Sequence, residues 1–339
     1  MKVAVSFLLI AATVAGAQER EPIIDMHLHI RTANYAGPNP PPMCAPFLMM
    51  PRWDPSLPEE SQLTFNVMPP CANPILPGKT DDDVMNQTIA VMKRRNIIGM
   101  ISGEPERMTK WRGIAGDRII PGLDLRITRG DASSHVTVRS PANVRELYKQ
   151  GAFKVLGEVM AQYEGVPAND PRLGPYWALA EELDIPVGIH MGPGGPADSY
   201  FGAPGYRAKN SDPLLLEDVL VKHPKLRVYI MHAGYPMLEN LRALLFSHPQ
   251  VYVDISSIVY TEPRPAFYRY LQGIVEAGYG DRILFGSDQM IWPGVIEPSI
   301  QSIEEASFLT NAQKRDILYN NAARFLRLSK EEIARHHRM

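Results

Sequence analysis

The sequence lacks long runs of one charge. Lys and Arg total 35, Asp and Glu 37, and the formal net charge is −2. That balance gives no reason to expect nucleic acid or an anionic membrane as a partner. Beyond its first residues it has no apolar run long enough for a transmembrane helix. No Gly-rich dinucleotide or P-loop fingerprint follows any candidate strand, and no short-period repeat is present. Cysteine is scarce, with only Cys44 and Cys71.

Proline is plentiful, at 31 of 339 residues, and it clusters in places, which points to long ordered loops. The apolar fraction of 45% is ordinary for a globular chain with a real core. The length allows one large domain or two ordinary ones.

The N-terminus stands apart. MKVAVSFLLIAATVAGA has Lys2, an apolar run from Val3 to Val14, then Ala15-Gly16-Ala17. This reads as a secretory signal peptide, residues 1–17, cut after Ala17. The expected location is periplasmic or secreted, with no membrane attachment after cleavage. In an oxidising compartment Cys44 and Cys71 can join across their Pro-rich loop. Two unpaired thiols are the other reading.

Short β-rich runs alternate with amphipathic helices. Strands are expected at 23–30, 96–103, 118–125, 153–160, 185–192, 226–234, 251–257 and 282–288. Helices are clearest at 81–96, behind the candidate N-cap Thr80, and at 140–151, which has Pro141 near its start and Gly151 at its end. Residues 212–224 and 236–249 both end in His-Pro, so His223 and His248 read as surface residues near helix ends. Eight strand–helix units predict an α/β protein with a (β/α)8 TIM barrel. A doubly wound sheet is the rival, without the fingerprint that usually favours it. The barrel is expected over 18–328, with a Pro-rich insertion at 31–79 after strand 1 and a C-terminal tail at 329–339. A loop as long as that insertion is usually functional, and a lid is one use.

In such barrels active sites lie at the C-terminal strand ends. The polar residues there are His27 and His29 on strand 1, Glu158 on strand 4, His190 on strand 5, His232 on strand 6 and Asp288 on strand 8. His135, His223, His248, His336 and His337 lie elsewhere. Residues i and i+2 of a strand share a face, so His27 and His29 can converge on one ion. Imidazole nitrogen and carboxylate oxygen suit zinc and similar divalent cations. Leaving so many buried polar groups without a shared partner would cost roughly 1–3 kcal/mol each.

IIDMHLHI, VGIHMGPG, YIMHAGYP, RILFGSDQM and ILYNNAARFLRL resemble the amidohydrolase superfamily. They look most like its amidohydrolase-related branch, which also holds metal-dependent non-oxidative decarboxylases. The resemblance runs from residue 23 to about 328. It implies that His27, His29, His190 and Asp288 bind a divalent metal, with zinc the first choice. Asp288 would also orient or deprotonate the metal's water, whose pKa a divalent ion lowers from ~16 towards ~7. His232 would polarise a substrate carbonyl, move a proton or bind a second ion. Glu158 would bridge two ions or accept from a ligand histidine. Lys154 reads as a deep structural or ion-pairing residue sharing a face with Glu158, with a carbamylated ligand as the alternative. Arg126 could pair with a substrate carboxylate or form a surface salt bridge, and Tyr163, Tyr200 and Trp292 could line the pocket or simply pack their loops.

The expected function is an exported metal-dependent hydrolase that cleaves an ester, lactone or amide of a small molecule. Decarboxylation of an unsaturated or aromatic acid is the alternative, and a non-catalytic binding barrel the third reading. One or two ions, and a monomer or a homo-oligomer, all remain compatible with the sequence.

Overall fold

The computed structural model describes residues 20–50, 54–56, 71–127 and 137–339. The expected signal peptide, His135 and part of the 31–79 insertion lie outside them.

The strands are β1 (Ile23–His29), β2 (Ile97–Ser102), β3 (Ile119–Leu125), β4 (Val155–Val159), β5 (Val187–His190), β6 (Val228–Met231), β7 (Tyr252–Asp254) and β8 (Ile283–Leu284). They form one parallel sheet in the order of the sequence. Three backbone hydrogen bonds join its first and last edges. The Met26 amide donates to the Phe285 carbonyl (2.8 Å), His29 to Gln289 (3.0 Å) and Asp288 to His27 (2.7 Å). The result is a TIM barrel, as the strand–helix alternation predicts. No helix among the described residues is long and apolar enough to cross a membrane.

Local chemistry explains the helices. In α1 (Asp81–Arg94) the Thr80 hydroxyl accepts from the Asp83 amide, and acidic and basic turns suit the two ends of the dipole. Helices α2 (Pro105–Ala115) and α3 (Pro141–Lys149) both begin with proline, and Ser140 caps the latter. Residues 213–216 form a 3-10 turn before the helix Glu217–Lys222, so the 212–224 segment is not one regular helix.

Two apolar layers hold the molecule together. One lies between strands and helices and includes Ile23, Leu28, Leu156 and Val159. The other fills the barrel interior with Ile24, Met26, Ile98, Met100, Val155, Tyr229 and Leu284, closed below by Tyr319 and Phe325. The expected tail is largely a helix, Lys330–His337. Its capping box pairs Ser329 with Glu332, and Ile333 packs on the interior cluster.

Two surface expectations need correction. His223 is buried, with Nδ1 3.0 Å from the Glu181 carboxylate, because its helix end packs against a neighbour instead of facing water. His248 is mostly covered, and its Nε2 lies 3.8 Å from Glu217.

The described parts of the insertion are fastened at several points. Met43 and Ile75 form an antiparallel bridge, and the Phe47 amide donates to the Thr261 carbonyl (3.0 Å). Trp292 Nε1–H donates to the Pro41 carbonyl (2.9 Å). A disulfide joins Cys44 to Cys71, with 5.9 Å between their Cα atoms.

Candidate metal centre

Phase along β1 decides which way the histidines face. Ile24 and Met26 point into the barrel, so strict alternation would send His27 outward. Between Asp25 and Leu28 the register against β2 shifts by one residue. Such an irregularity re-aims the side chains beyond it. His27 and His29 therefore take the inward face, and Leu28 packs outside. β4 repeats the device. Its register shifts between Leu156 and Val159 against β5, and Glu158 turns inward. Lys154 precedes the shift, sits exposed at the other end of the barrel and does not share a face with Glu158.

Six polar residues from five strands or strand ends meet here: His27, His29, Glu158, His190, His232 and Asp288, all buried. His27 Nε2 lies 3.0 Å from His29 Nε2. Asp288 Oδ1 is 3.5 Å from the former and 3.2 Å from the latter. Glu158 spans the site. Its Oε1 is 2.5 Å from His190 Nδ1 and 4.0 Å from His232 Nε2, while Oε2 is 3.6 Å from His29 Nε2. His232 Nε2 and His190 Nδ1 are 3.0 Å apart.

Neighbours orient the rings. His27 Nδ1 faces Ser256 Oγ (2.7 Å) and Asp254 Oδ2 (3.1 Å). His232 Nδ1–H donates to the Ser256 carbonyl (3.0 Å). His29 Nδ1 meets Ser102 Oγ (2.9 Å). Such bonds fix Nδ1 as the protonated nitrogen and leave Nε2 lone pairs aimed into the site. Two backbones are bent to the task. His232 (φ 58°) and Asp288 (φ 53°) occupy the left-handed region. That costs roughly 1–3 kcal/mol each and tends to cluster at functional sites.

Electrostatics point the same way. Burial opposes charge on His27, yet Asp288 and Asp254 beside it push it up to about 10. The carboxylates thus demand positive charge at this spot. Burial, then His190, pushes His232 down to about 4, so its ring is neutral and able to bind a cation. Burial also opposes charge on Glu158, but the adjacent His190 holds it well below the carboxylate range.

Three sets of donors lie within 4.8 Å of one another: His27, His232 and Asp288; His27, His29 and Glu158; Glu158, His190 and His232. Converging imidazole nitrogens among ionised carboxylates fit a divalent cation.

The pocket-wall residues fare unevenly. Tyr163 joins the site, its ring centroid 4.4 Å from that of His190, and burial, then Glu158, pushes its hydroxyl well above the usual range. Arg126 is largely covered, with Nη1 4.0 Å from Glu164 Oε1 and Nη2 4.0 Å from the Met160 sulfur, so it is not an open-surface salt bridge. The other two stand apart from each other. Tyr200 is 70% exposed on a short surface helix. Trp292 is buried and holds the insertion through its bond to Pro41, which occupies its polar edge.

Sequence reasoning missed Asp254, Ser256, Ser102, Asp124 and Arg31. Asp254 also accepts from the His232 amide (2.9 Å), and Arg31 pairs with Asp124 beneath His29. Most of them sit at or near C-terminal strand ends. The rule that found the histidines, applied to serine and aspartate on β2, β3 and β7, would have found Ser102, Asp124 and Asp254.

The fold and this cluster define a TIM-barrel protein whose buried histidines and carboxylates could hold a metal ion. The chain belongs to the amidohydrolase family, whose sequence pattern it matches over residues 24–328. A search of curated proteins finds no match. Solved structures share the fold. An uncharacterised TIM-barrel protein from Bordetella bronchiseptica is 18% identical, with a TM-score of 0.60 over 93% of this chain and 100% of that one. A probable 2-pyrone-4,6-dicarboxylic acid hydrolase from Acinetobacter baumannii is 15% identical (TM-score 0.54, 91% and 100% covered). A 5-carboxyvanillate decarboxylase from Sphingomonas paucimobilis is 13% identical (TM-score 0.55, 91% and 99% covered).

Proposed function

We propose that this chain is an exported hydrolase that cleaves an ester, lactone or amide of a small molecule with the help of divalent metal, zinc being the first candidate. The observation that carries the reading is Glu158, one carboxylate whose two oxygens face different donor sets. If two cations are held here, Glu158 would help to hold both, together with His27, His29, His190, His232 and Asp288. Metal held there supplies Lewis acidity towards a carbonyl oxygen and lowers the pKa of water.

The chain's own residues do the rest. Asp288 accepts the proton of the attacking water and delivers it to the leaving oxygen or nitrogen. His232, neutral and fixed through Nδ1, keeps its Nε2 directed at the site. Asp254 and Ser256 lock the rings of His27 and His232. Tyr163 covers His190 and keeps bulk water from that side.

A second reading is non-oxidative decarboxylation of an unsaturated or aromatic acid. The guanidinium groups of Arg31 and Arg126 both reach the Met160 sulfur, at 3.8 and 4.0 Å, and would suit a carboxylate-bearing substrate. The 5-carboxyvanillate decarboxylase among the structural neighbours adds weight to it. Metal-loaded enzyme offered panels of esters, lactones, amides and aromatic acids separates the readings. Acid release without carbon dioxide supports hydrolysis, and carbon dioxide release supports the second. No turnover of either panel by metal-loaded protein leaves a binding barrel.

Export rests on the expected signal peptide and agrees with the Cys44–Cys71 bond, since disulfides persist in oxidising compartments. A mature chain starting at Gln18 outside the cytoplasm supports it. A full-length chain retained in the cytoplasm contradicts it.

A further inference from the structure

The face of a TIM barrel opposite its active site is ordinarily given over to stability. In this chain it holds a cavity of about 700 Å³, between the N-terminal ends of β3 to β6 and the C-terminal helix Lys330–His337. That volume lies in the range of small-molecule sites, roughly 300–1,000 Å³. Its floor is apolar, made by Ile120, Val155, Pro186, Leu326 and Leu328.

The charges at its rim do not cancel. The lining acids are Asp117, Asp184 and Glu332. Each is already engaged. Asp184 binds Arg227 (2.7 Å) and Arg327 (2.5 Å). Asp117 faces Arg335 at 3.5 Å. Glu332 accepts from the Ser329 amide (2.8 Å) as part of the helix cap. Two lining cations have no direct partner. Among the described residues, the side chains of Lys154 and Arg112 make no hydrogen bond and no ion pair within 4.0 Å; the charge of Lys154 acts on Glu332 only through space. Lys154 stands at the start of β4 and Arg112 on α2, on the same rim.

We propose that this cavity binds a small organic anion, with an apolar body on the floor and a carboxylate held between Lys154 and Arg112. Apolar walls with a few convergent polar groups are the usual composition of a ligand site. The two cations supply charge-assisted hydrogen bonds, and the planar guanidinium suits a carboxylate. The site is separate from the metal centre, because the apolar interior of the barrel lies between them.

Naphthalene-2-carboxylate is a suitable probe, with inorganic phosphate as a probe of charge alone. Both are titrated by calorimetry into metal-loaded protein. The proposal expects saturable binding of the naphthoate and weaker binding of phosphate. A Lys154→Met/Arg112→Gln double variant should bind the naphthoate at least tenfold more weakly. Gly113→Phe should do so too while leaving both cations in place, since a side chain at Gly113 meets nothing within 4 Å and points into open space on the rim. An Arg126→Gln change at the opposite mouth should leave this affinity unchanged. Three results would overturn the proposal: no naphthoate binding, equal affinity in wild type and both cavity variants, or loss of affinity in Arg126→Gln alone.

Discussion

At its N-terminal end the barrel is filled by Ile24, Ile98, Met100, Val155 and Leu284. A few residues further along, two of the same strands present His27, His29 and Glu158, which meet His190, His232 and Asp288. The change is abrupt, from Met26 to His27 in one step of β1. It is achieved by register shifts in β1 and β4, which bring polar residues inward without altering the apolar layer beneath. The lower end buries apolar surface, and so contributes stability. The upper end concentrates buried charge and left-handed backbone at His232 and Asp288, features that cost stability and tend to cluster at functional sites.

Substitutions at the two ends should therefore fail in different ways. Asp288→Asn removes the proton acceptor proposed above and should lower kcat by about 10²–10⁴ while leaving the melting temperature nearly unchanged. Steady-state kinetics beside thermal melts on the same preparation check this. At the lower end Met26→Ala leaves a void in the interior and should cost about 2–5 kcal/mol of stability, with metal content unchanged. Denaturant titration and metal analysis read the two quantities. Loss of metal in that variant would break the separation of the ends.

Asp254→Asn lies between these extremes. It leaves the ligands in place but weakens the hold on His27, and should lower metal affinity or activity by roughly 10–100-fold. Competition against a chelator measures the first. Tyr229 crosses the boundary, since its hydroxyl donates to the Met26 carbonyl at 3.1 Å. Tyr229→Phe should cost only about 0.5–1.5 kcal/mol by denaturant titration.

One further effect concerns pH. Burial, then Arg335 beside it, pushes the His336 imidazole down to about 4, below its ordinary 6.5. The unfolded chain therefore binds more protons between those values, and stability rises with pH across that window. Below it the contribution is lost. Melting temperature should fall from pH 6.5 to 4 more steeply in wild type than in His336→Gln, and equal slopes would refute the assignment.

Much of this was legible in the residues. All eight strands fall within their expected spans, because β-rich runs between turn residues leave little else to form. The i, i+2 spacing places His27 and His29 on one face. It does not say which face, since that depends on a one-residue shift with no local sequence mark. The same shift misled the pairing of Lys154 with Glu158. Asp254 escaped because β7 is only three residues long, and a carboxylate there reads equally well as a turn residue. Trp292 and Tyr200 occupy loops, where the direction of a side chain is set by distant partners such as Pro41. The helix at Lys330–His337 was announced by Ser329 and Glu332, a capping pair that a reading of the segment as a tail passed over.

The central claim is that the upper layer is one metal centre bridged by Glu158. Elemental analysis of purified wild type and Glu158→Ala, each loaded with metal and desalted, tests it most directly. Two equivalents in wild type falling to one in Glu158→Ala is the predicted result. One equivalent in both proteins would contradict the bridge, and none in either would contradict the metal centre itself.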